Sequence, residues 1–127
     1  MINYFKNRRI RRAKAAAFYD DHLKNHPDIV IPQSSGTGSH IYHQYTLRIL
    51  NGKRDMVKEI LAKEDIPSMV YYPVPLSLQK AFSNLAYKKG DFPVTEQLCN
   101  EVLSLPMHTE LSTEQLNHIV KTLLSNI

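Results

Sequence analysis

Apolar residues recur with helical spacing in three stretches of the chain. The clearest stripe lies near the C-terminus and has the spacing i, i+3, i+4, i+7, i+8: Leu116, Ile119, Val120, Leu123 and Leu124. Ser112 and Gln115 stand ahead of it with the spacing of a capping box, which predicts where this helix begins. A shorter stripe predicts a helix over about 53–63: Met56, Val57, Ile60 and Leu61. A third helix is predicted from Pro93 to about Leu103, with one face formed by Val94, Leu98 and Val102.

The N-terminal segment also favours helix, although its apolar residues form no stripe. Alanine and arginine are abundant over residues 4–24, no acidic residue occurs before Asp20, and Pro27 marks the end. We therefore predict one N-terminal helix over about 4–24, followed by a core over 28–127, the whole chain of 1–127 forming a single domain.

Strand-like alternation is clearest in SHIYHQYTLRIL, residues 39–50, because successive side chains of a strand face opposite sides. One face would be mostly apolar: Ile41, His43, Tyr45, Leu47 and Ile49. The other would be polar: His40, Tyr42, Gln44, Thr46 and Arg48. We therefore predict that His43 and Tyr45 pack in the core. His40 and Tyr42 would face water or a ligand.

A second strand is predicted over 68–72, and its end carries two adjacent tyrosines. Pro73 and Pro75 cannot donate to a ladder, so the chain should leave the sheet after Tyr72 in an extended form. Since neighbours on a strand face opposite ways, one of Tyr71 and Tyr72 is expected to cover the core. The segment LSLPMH reads as a short extended link, and SSGTGS at 34–39 reads as a loop.

The order of these elements indicates the fold class. Helices alternate with a few short strands, which predicts an α+β fold in which a small, mostly antiparallel sheet is covered by helices. A sheet of this size would leave part of its other face open. The chain of 127 residues is long enough to bury an ordinary core.

The formal net charge of +4 is concentrated near the N-terminus. Six cations fall within nine residues: Lys6, Arg8, Arg9, Arg11, Arg12 and Lys14. Such a cluster can collect phosphates, so a basic nucleic-acid-binding domain is one alternative. On a helix, however, these residues would point in most directions around the axis, and the chain carries no zinc-finger spacing or helix-turn-helix pattern.

Cysteine and histidine content argue against disulfides and metal ions. Cys99 is the only cysteine, so no internal disulfide can form. His40 and His43 would project to opposite sides of a strand, so this pair alone predicts no metal site. No apolar run is long enough to span a membrane, and MINYFKNRRIRR has no signal-peptide core, which predicts a cytoplasmic protein.

Five motifs taken in order carry a family resemblance: HIYHQYTLRI, KRDMVKEILAKEDI, VYYPVPLSLQKAF, YKKGDFPVTEQLCNEVLSLPMH and LSTEQLNHIV. Together they resemble the C-terminal part of the pyridoxal-phosphate-dependent sugar aminotransferases, the DegT/DnrJ/EryC1/StrS family. The segment RRIRRAKAAAFYDDHL resembles the helix that enters that domain. The resemblance implies the small domain of the aspartate-aminotransferase fold.

The resemblance also implies an activity and a cofactor for the full-length proteins. Members move an amino group from glutamate to a keto sugar attached to a nucleotide, as homodimers, with pyridoxal phosphate as electron sink. The cofactor lysine belongs to the preceding large domain, and none of the ten lysines here lies in a segment resembling it. We therefore expect no catalytic residue and no cofactor-binding residue in this chain, and no activity from it alone.

In the family the small domain closes one side of the substrate cleft. The resemblance thus makes four residues candidates for contacting a nucleotide-sugar: His40, Tyr42, Tyr71 and Tyr72. One position departs from the family, which often has histidine after the PVPL motif where this chain has Ser77. A role that depends on that histidine would be altered, through either a different substrate or relaxed selection.

Three function classes stay open on the sequence. The first is the C-terminal part of a nucleotide-sugar aminotransferase. The second is an assembly or binding subunit that completes a cleft on a separate large-domain chain. The third is the nucleic-acid binder. Surface that would face a large domain should carry apolar residues, so we also expect a homo-oligomer or association with a large-domain chain.

Overall fold

The computed structural model describes residues 1–127. It contains four helices and three strands, in the order α1 (Ile2–Leu23), β1 (Ile29–Val30), β2 (Tyr45–Ile49), α2 (Arg54–Lys63), α3 (Pro93–Glu101), β3 (Val102–Leu105) and α4 (Thr113–Leu124). Two 3₁₀ turns, Leu76–Leu78 and Lys80–Leu85, lie between α2 and α3. No helix is both long enough and apolar enough to cross a membrane.

The three strands form one antiparallel sheet in the order β1-β2-β3, with β2 in the centre. Ile29 pairs with Ile49 at one edge, and Tyr45 pairs with Leu105 at the other. Helices pack against this sheet, so the predicted α+β class with a small antiparallel sheet is confirmed.

The core lies between β2 and the helices α1, α2 and α4. The alternation of β2 buries Tyr45, Leu47 and Ile49. On α4, Leu116, Ile119, Val120 and Leu123 are buried, as their spacing predicts. The predicted capping box is present: the Ser112 hydroxyl accepts from the Gln115 N–H at 3.1 Å, and the Gln115 side chain accepts from the Ser112 N–H at 2.9 Å.

Two tyrosine hydroxyls join α1 to the rest of the core. The Tyr19 and Tyr45 rings lie 4.8 Å apart and both are fully buried. The Tyr19 hydroxyl donates to the Pro106 carbonyl oxygen at 2.8 Å, and the Tyr45 hydroxyl donates to Asp20 Oδ1 at 2.7 Å. Burial raises the pKa of both phenols, so they stay protonated and remain donors at neutral pH.

Only the C-terminal half of α1 is packed in this way. Its buried residues are Ala15, Ala16, Tyr19 and Leu23. The first half is exposed and carries uncovered apolar side chains: Ile2, Tyr4, Phe5 and Ile10. The helix therefore combines a core-forming end with an exposed basic end.

The strand predicted over 39–50 is shorter than expected, because β2 begins only at Tyr45. In the observed register Tyr45 pairs with Leu105, so extending the ladder beyond Tyr45 would require pairing with Pro106, which has no N–H to donate. Residues 40–44 consequently lie outside the sheet. The prediction that His43 packs in the core was wrong, since His43 is exposed, and Ile41 is 59% exposed.

We predicted a helix from Pro93 to about Leu103, followed by an extended link. The structure instead has a third strand in this region. Helix α3 ends at Glu101, and β3 follows at once, with Leu103, Ser104 and Leu105 buried. The predicted face of α3 is also incomplete, because Val94 is 69% exposed. On α2, Val57 and Leu61 are buried as predicted, but Met56 is 45% exposed.

An acidic residue organises the turn between β2 and α2. The Asp28 carboxylate accepts hydrogen bonds from Lys53 Nζ and from Asn51 Nδ2, the latter at 2.6 Å. Its backbone oxygen accepts from the Leu50 N–H at 2.9 Å. The hydrogen bond from Lys53 is the largest cause that lowers the Asp28 pKa below its usual range, and Asn51 contributes in the same direction.

This lowered pKa predicts a pH-dependent contribution to stability. A carboxylate with a lower pKa in the folded state stabilises that state above its unfolded pKa, and this contribution is lost as the pH falls through the folded value. In urea unfolding over a series of pH values, Asp28→Asn should therefore be less stable than the wild type at pH 7. The gap should close below about pH 4. A gap that stayed constant down to the acid end of the series would contradict this role of Asp28.

Candidate functional site

The chain leaves the sheet after Met69 and forms an exposed segment, residues 71–92, which we call the apolar arm. Met69 is the last residue to pair with a strand: it exchanges backbone hydrogen bonds with Ser104 at 3.1 and 2.8 Å. The predicted strand over 68–72 is thus reduced to a single bridge. Pro73 and Pro75 prevent further pairing, and the arm continues through the two 3₁₀ turns.

Tyr71 and Tyr72 stand at the start of the apolar arm. Their rings are 5.7 Å apart in an edge-to-face arrangement, with Tyr71 38% exposed and Tyr72 70% exposed. Neither ring is buried, so the expectation that one of them covers the core is wrong. Both line a cavity of about 340 Å³ between the arm and α3, which we call the tyrosine cavity. Its wall includes Cys99 and Val102.

His40 and Tyr42 form a separate pair in the loop before β2. Their ring centroids are 4.2 Å apart, and the His40 Nδ1 accepts a hydrogen bond from the Tyr42 N–H at 2.9 Å. Tyr42 has φ +47° and packs partly against the core. Neither residue lines the tyrosine cavity, so the structure arranges the four candidates as two local pairs.

His43 is a further candidate that the alternation pattern assigned to the wrong face. It lines a cavity of about 300 Å³ together with Gln44, Tyr71 and His108. This cavity adjoins the start of the apolar arm through Tyr71, which also lines the tyrosine cavity. Pro106 ends the pairing of β2 with β3 and so leaves His43 outside the sheet. The sequence shows this proline, but its position opposite residue 44 depends on the register of β3.

Two arginines fix the position of α3 and therefore of the tyrosine cavity. Arg54 is only 7% exposed, and its Nη1 donates to the Cys99 and Val102 carbonyl oxygens at 2.9 and 3.1 Å. Arg48 on β2 binds Glu101 through Nε at 2.8 Å and Nη2 at 2.7 Å. Cations at the C-terminus of a helix also interact favourably with its dipole.

The pKa of Glu101 reflects these contacts. Burial alone would raise its pKa, but hydrogen bonds from Gln97 and Arg48, with the positive charge of Arg48, lower the pKa below its usual value. Glu101 therefore stays ionised and holds both side chains at neutral pH. The carboxylate contributes to structure at the end of α3 rather than acting as a free acid or base.

The lysines do not provide a site for pyridoxal phosphate. A cofactor lysine must reach an enclosed pocket in which a phosphate is also held. No lysine lines the tyrosine cavity or the cavity that contains His43. Lys53 and Lys58 are half-buried, Lys53 is paired with Asp28, and the other eight lysines are exposed. The residues that line these two cavities therefore do not fit this cofactor by themselves.

Two other kinds of site have little support from the side chains. The structure contains no group of three or more histidine, cysteine, aspartate or glutamate residues arranged to hold a metal ion. The cations of α1 do not share one face, and Arg11 is 3.4 Å from Glu110 in an exposed ion pair. Of these cations only Arg11 and Lys14 line a common hollow, and the Glu110 carboxylate lines it as well, which is unfavourable for a nucleic-acid backbone.

Comparison with known proteins gives a consistent result over nearly the whole chain. The model of the DegT/DnrJ/EryC1/StrS aminotransferase family matches residues 2–124. A pleiotropic regulatory protein of Geobacillus stearothermophilus is 41% identical over 113 residues, covering 87% of this chain and 30% of the relative. UDP-N-acetyl-3-dehydro-alpha-D-glucosamine 3-aminotransferase of Acidithiobacillus ferrooxidans is 40% identical over 108 residues, covering 85% and 28%.

The fold comparison agrees. A Streptococcus pneumoniae structure described as a sugar aminotransferase in its pyridoxal phosphate form matches with a TM-score of 0.88 and 26% identity. The match covers 98% of this chain and 32% of that protein. The chain thus spans about a third of the length of the proteins it resembles.

Proposed function

The chain belongs to the DegT/DnrJ/EryC1/StrS aminotransferase family, and we propose on that premise that it is the C-terminal part of a nucleotide-sugar aminotransferase. The reaction would transfer an amino group from glutamate to a keto sugar carried on a nucleotide. The match over residues 2–124 is the observation that carries this proposal. The name of the Acidithiobacillus relative, an aminotransferase acting on a UDP-sugar, supports the substrate class.

In this proposal the chain binds substrate and supplies no step of cofactor chemistry. No lysine lines the tyrosine cavity or the cavity that contains His43, so the residues 1–127 would be inactive when tested alone. Pyridoxal phosphate would be held by a large domain of the same family. Tyr71 and Tyr72 would contact the substrate from the small-domain side, and His40 and Tyr42 would do so from the loop before β2.

The exposed apolar residues support assembly with other protein surface. The apolar arm and the first half of α1 together expose large side chains that include Phe5, Tyr72, Leu76 and Leu85. Uncovered apolar surface on this scale is typical of an interface. We propose that a large domain and a second copy of the enzyme cover it, the large domain being either in the same polypeptide or in a separate one.

A chimera tests the proposal. The 108-residue matched segment of the Acidithiobacillus relative would be replaced by the corresponding residues of this chain. The shortened relative without that segment, and residues 1–127 alone, are expected to show no transfer of an amino group to the UDP-sugar. The chimera should regain the activity. A chimera that is folded and loaded with pyridoxal phosphate, yet no more active than the shortened relative, would contradict the proposal.

Variants of the chimera test the role of Tyr72 in substrate binding, and a mixing experiment tests the separate-subunit alternative. Within an active chimera, Tyr72→Ala should raise the KM for the UDP-sugar about fivefold, because one aromatic contact is worth about 1 kcal/mol. His22→Ala removes an exposed aromatic ring in the second half of α1, outside the tyrosine cavity and outside the surface proposed to be covered, and should leave the KM unchanged. Activity recovered by mixing the shortened relative with residues 1–127 would favour the separate-subunit alternative.

A further inference from the structure

The first half of α1 continues the face that the second half packs against the core. The buried residues Ala16, Tyr19 and Leu23 follow one another at helical spacing. The same spacing carried towards the N-terminus reaches four residues, which we call the arginine face: Phe5, Arg8, Arg9 and Arg12. Arg12 is half-buried, and the other three are exposed. The side of α1 that forms the core therefore continues into an uncovered stretch.

The positive charges of the arginine face have no carboxylate partner in this chain. Arg11 is the only cation in the first half of α1 that forms an ion pair. Arg8 donates instead to the Tyr4 hydroxyl, a neutral group, at 3.4 Å. Arg12 lies four residues from Arg8 and three from Arg9, so like charges are neighbours along the helix, which destabilises it. A partner that brings carboxylates would remove this repulsion.

The residue types of the arginine face favour a protein partner. All three of its cations are arginines, whose planar guanidinium binds a carboxylate through two hydrogen bonds, and Phe5 beside them is 61% exposed. Arginine and aromatic residues are enriched in protein interfaces, whereas lysine is depleted. The cations on the other sides of the same helical segment include two lysines: Lys6, Arg11 and Lys14.

Two other surfaces fit the first half of α1 less well. A helix that lies on a membrane has one apolar stripe, but the exposed apolar residues here point around the helix axis: Ile2, Tyr4, Phe5 and Ile10. A second copy of this chain would bring the same arginines and a net charge of +4 to the contact, so the two copies would repel each other there.

We propose that the arginine face docks on an acidic surface of the large domain, with its three guanidinium groups paired to carboxylates and Phe5 packed between them. This inference rests on the proposed function, which supplies the large domain, and it states the chemistry by which the two parts recognise each other. Continuity with the core favours this occupant, because one face of α1 would then pack on the small domain at one end and on the adjoining domain at the other.

Amide hydrogen exchange followed by mass spectrometry tests the inference. The chimera is extended for this purpose to carry the whole of residues 1–127, so that it includes all of α1. Residues 2–12 should exchange at least about tenfold more slowly in the chimera than in residues 1–127 alone, because a docked helix opens less often than an exposed one.

Two triple variants of the chimera with the same loss of charge separate the arginine face from the net charge of the helix. The face variant should lose the slow exchange of residues 2–12: Arg8→Gln, Arg9→Gln and Arg12→Gln. The matched control should keep it, because its changes lie on the other sides of the same helical segment: Lys6→Gln, Arg11→Gln and Lys14→Gln. Slow exchange of α4 reports that each variant is folded.

Four results would overturn the inference. The first two are equally fast exchange of residues 2–12 in the chimera and in the chain alone, and equal effects of the two triple variants. The third is slowing in residues 1–127 alone that grows with protein concentration, which would assign the face to a second copy. The fourth is slowing of the chain alone by duplex DNA as large as that in the chimera, at about 0.15 M salt, which would assign the face to nucleic acid.

Failure of this inference is distinct from failure of the proposed function, because activity and exchange are measured on the same chimera. An active chimera in which residues 2–12 exchange as fast as in the chain alone would remove only the acidic contact. An inactive chimera with slow exchange that depends on the arginine face would remove the proposed reaction and leave the contact.

Discussion

Replacement of Leu47 by alanine is expected to destabilise the domain by about 3 kcal/mol, because it opens a cavity in the centre of the core. Leu47 is fully buried in the middle of β2, the central strand, and is paired with Leu103 of β3. Its neighbours on the same face, Tyr45 and Ile49, are fixed by their own packing and cannot move in to fill the space. Urea unfolding at pH 7 measures the change.

The matched control is Leu76→Ala, the same deletion at a side chain that is 67% exposed. Surface changes of this kind are usually within about 0.5 kcal/mol. The comparison thus separates burial from the loss of a leucine as such. Equal losses at the two positions would mean that the sheet does not hold the core in the way described.

Arg54→Met should also cost about 3 kcal/mol, through a different mechanism. The guanidinium supplies two charged hydrogen bonds to the Cys99 and Val102 carbonyl oxygens, where α3 ends and β3 begins. Hydrogen bonds to charged groups are worth about 1.5–3 kcal/mol each, and methionine keeps much of the volume while leaving both oxygens without this donor. The loss should be largest at the helix end, so amide hydrogen exchange of residues 99–105 should accelerate more than that of α4.

Arg11→Met is the matched control, because it removes an arginine charge at an exposed position. Arg11 forms an ion pair with Glu110 in which both side chains are mostly exposed, and such pairs contribute about 0–1 kcal/mol. If Arg54→Met were no more destabilising than Arg11→Met, the buried arginine would not be what positions α3. The tyrosine cavity would then depend on other contacts, because Cys99 and Val102 belong to its wall.

Features set by neighbouring residues were predictable from the sequence. The capping box of Ser112 and Gln115 and the apolar stripe of α4 depend on spacings within a few residues, and both occur as predicted. The inward face of β2 follows in the same way from strict alternation at Tyr45, Leu47 and Ile49. The motifs in chain order also indicated the family that the comparison supports.

Features set by distant residues were not predictable. The start of β2 depends on Pro106, which reaches it only through the register of β3. Strand β3 itself shows no alternation, because Ser104 is buried beside Leu103 and Leu105: its hydroxyl hydrogen-bonds Thr46 Oγ1 at 2.7 Å, and its backbone pairs with Met69. The stop of α3 depends on Arg54, which lies on another helix.

The same distinction between features set by neighbouring residues and features set by distant residues applies to the candidate site. Sequence reasoning singled out Tyr71 and Tyr72 because two prolines follow them, and both line the tyrosine cavity, but strand pairing ends already at Met69 rather than after Tyr72 as predicted. It missed His43, whose exposure follows from the shortened strand. The hollow lined by Leu76, Phe82 and Phe92 could not be foreseen either, since its walls come from two 3₁₀ turns, a loop and α3, which no short-range pattern brings together.

The order in which the strands occur along the chain has a consequence for synthesis. Strands β1 and β2 lie within the first fifty residues, but β3, the second partner of β2, begins more than fifty residues after β2 ends. Closing so long a loop makes the β2–β3 pairing a slow, non-local event. While a ribosome makes this protein, Leu47 therefore has no partner strand until residues 102–105 have left the exit tunnel, and the nascent chain exposes an unpaired apolar edge throughout that interval.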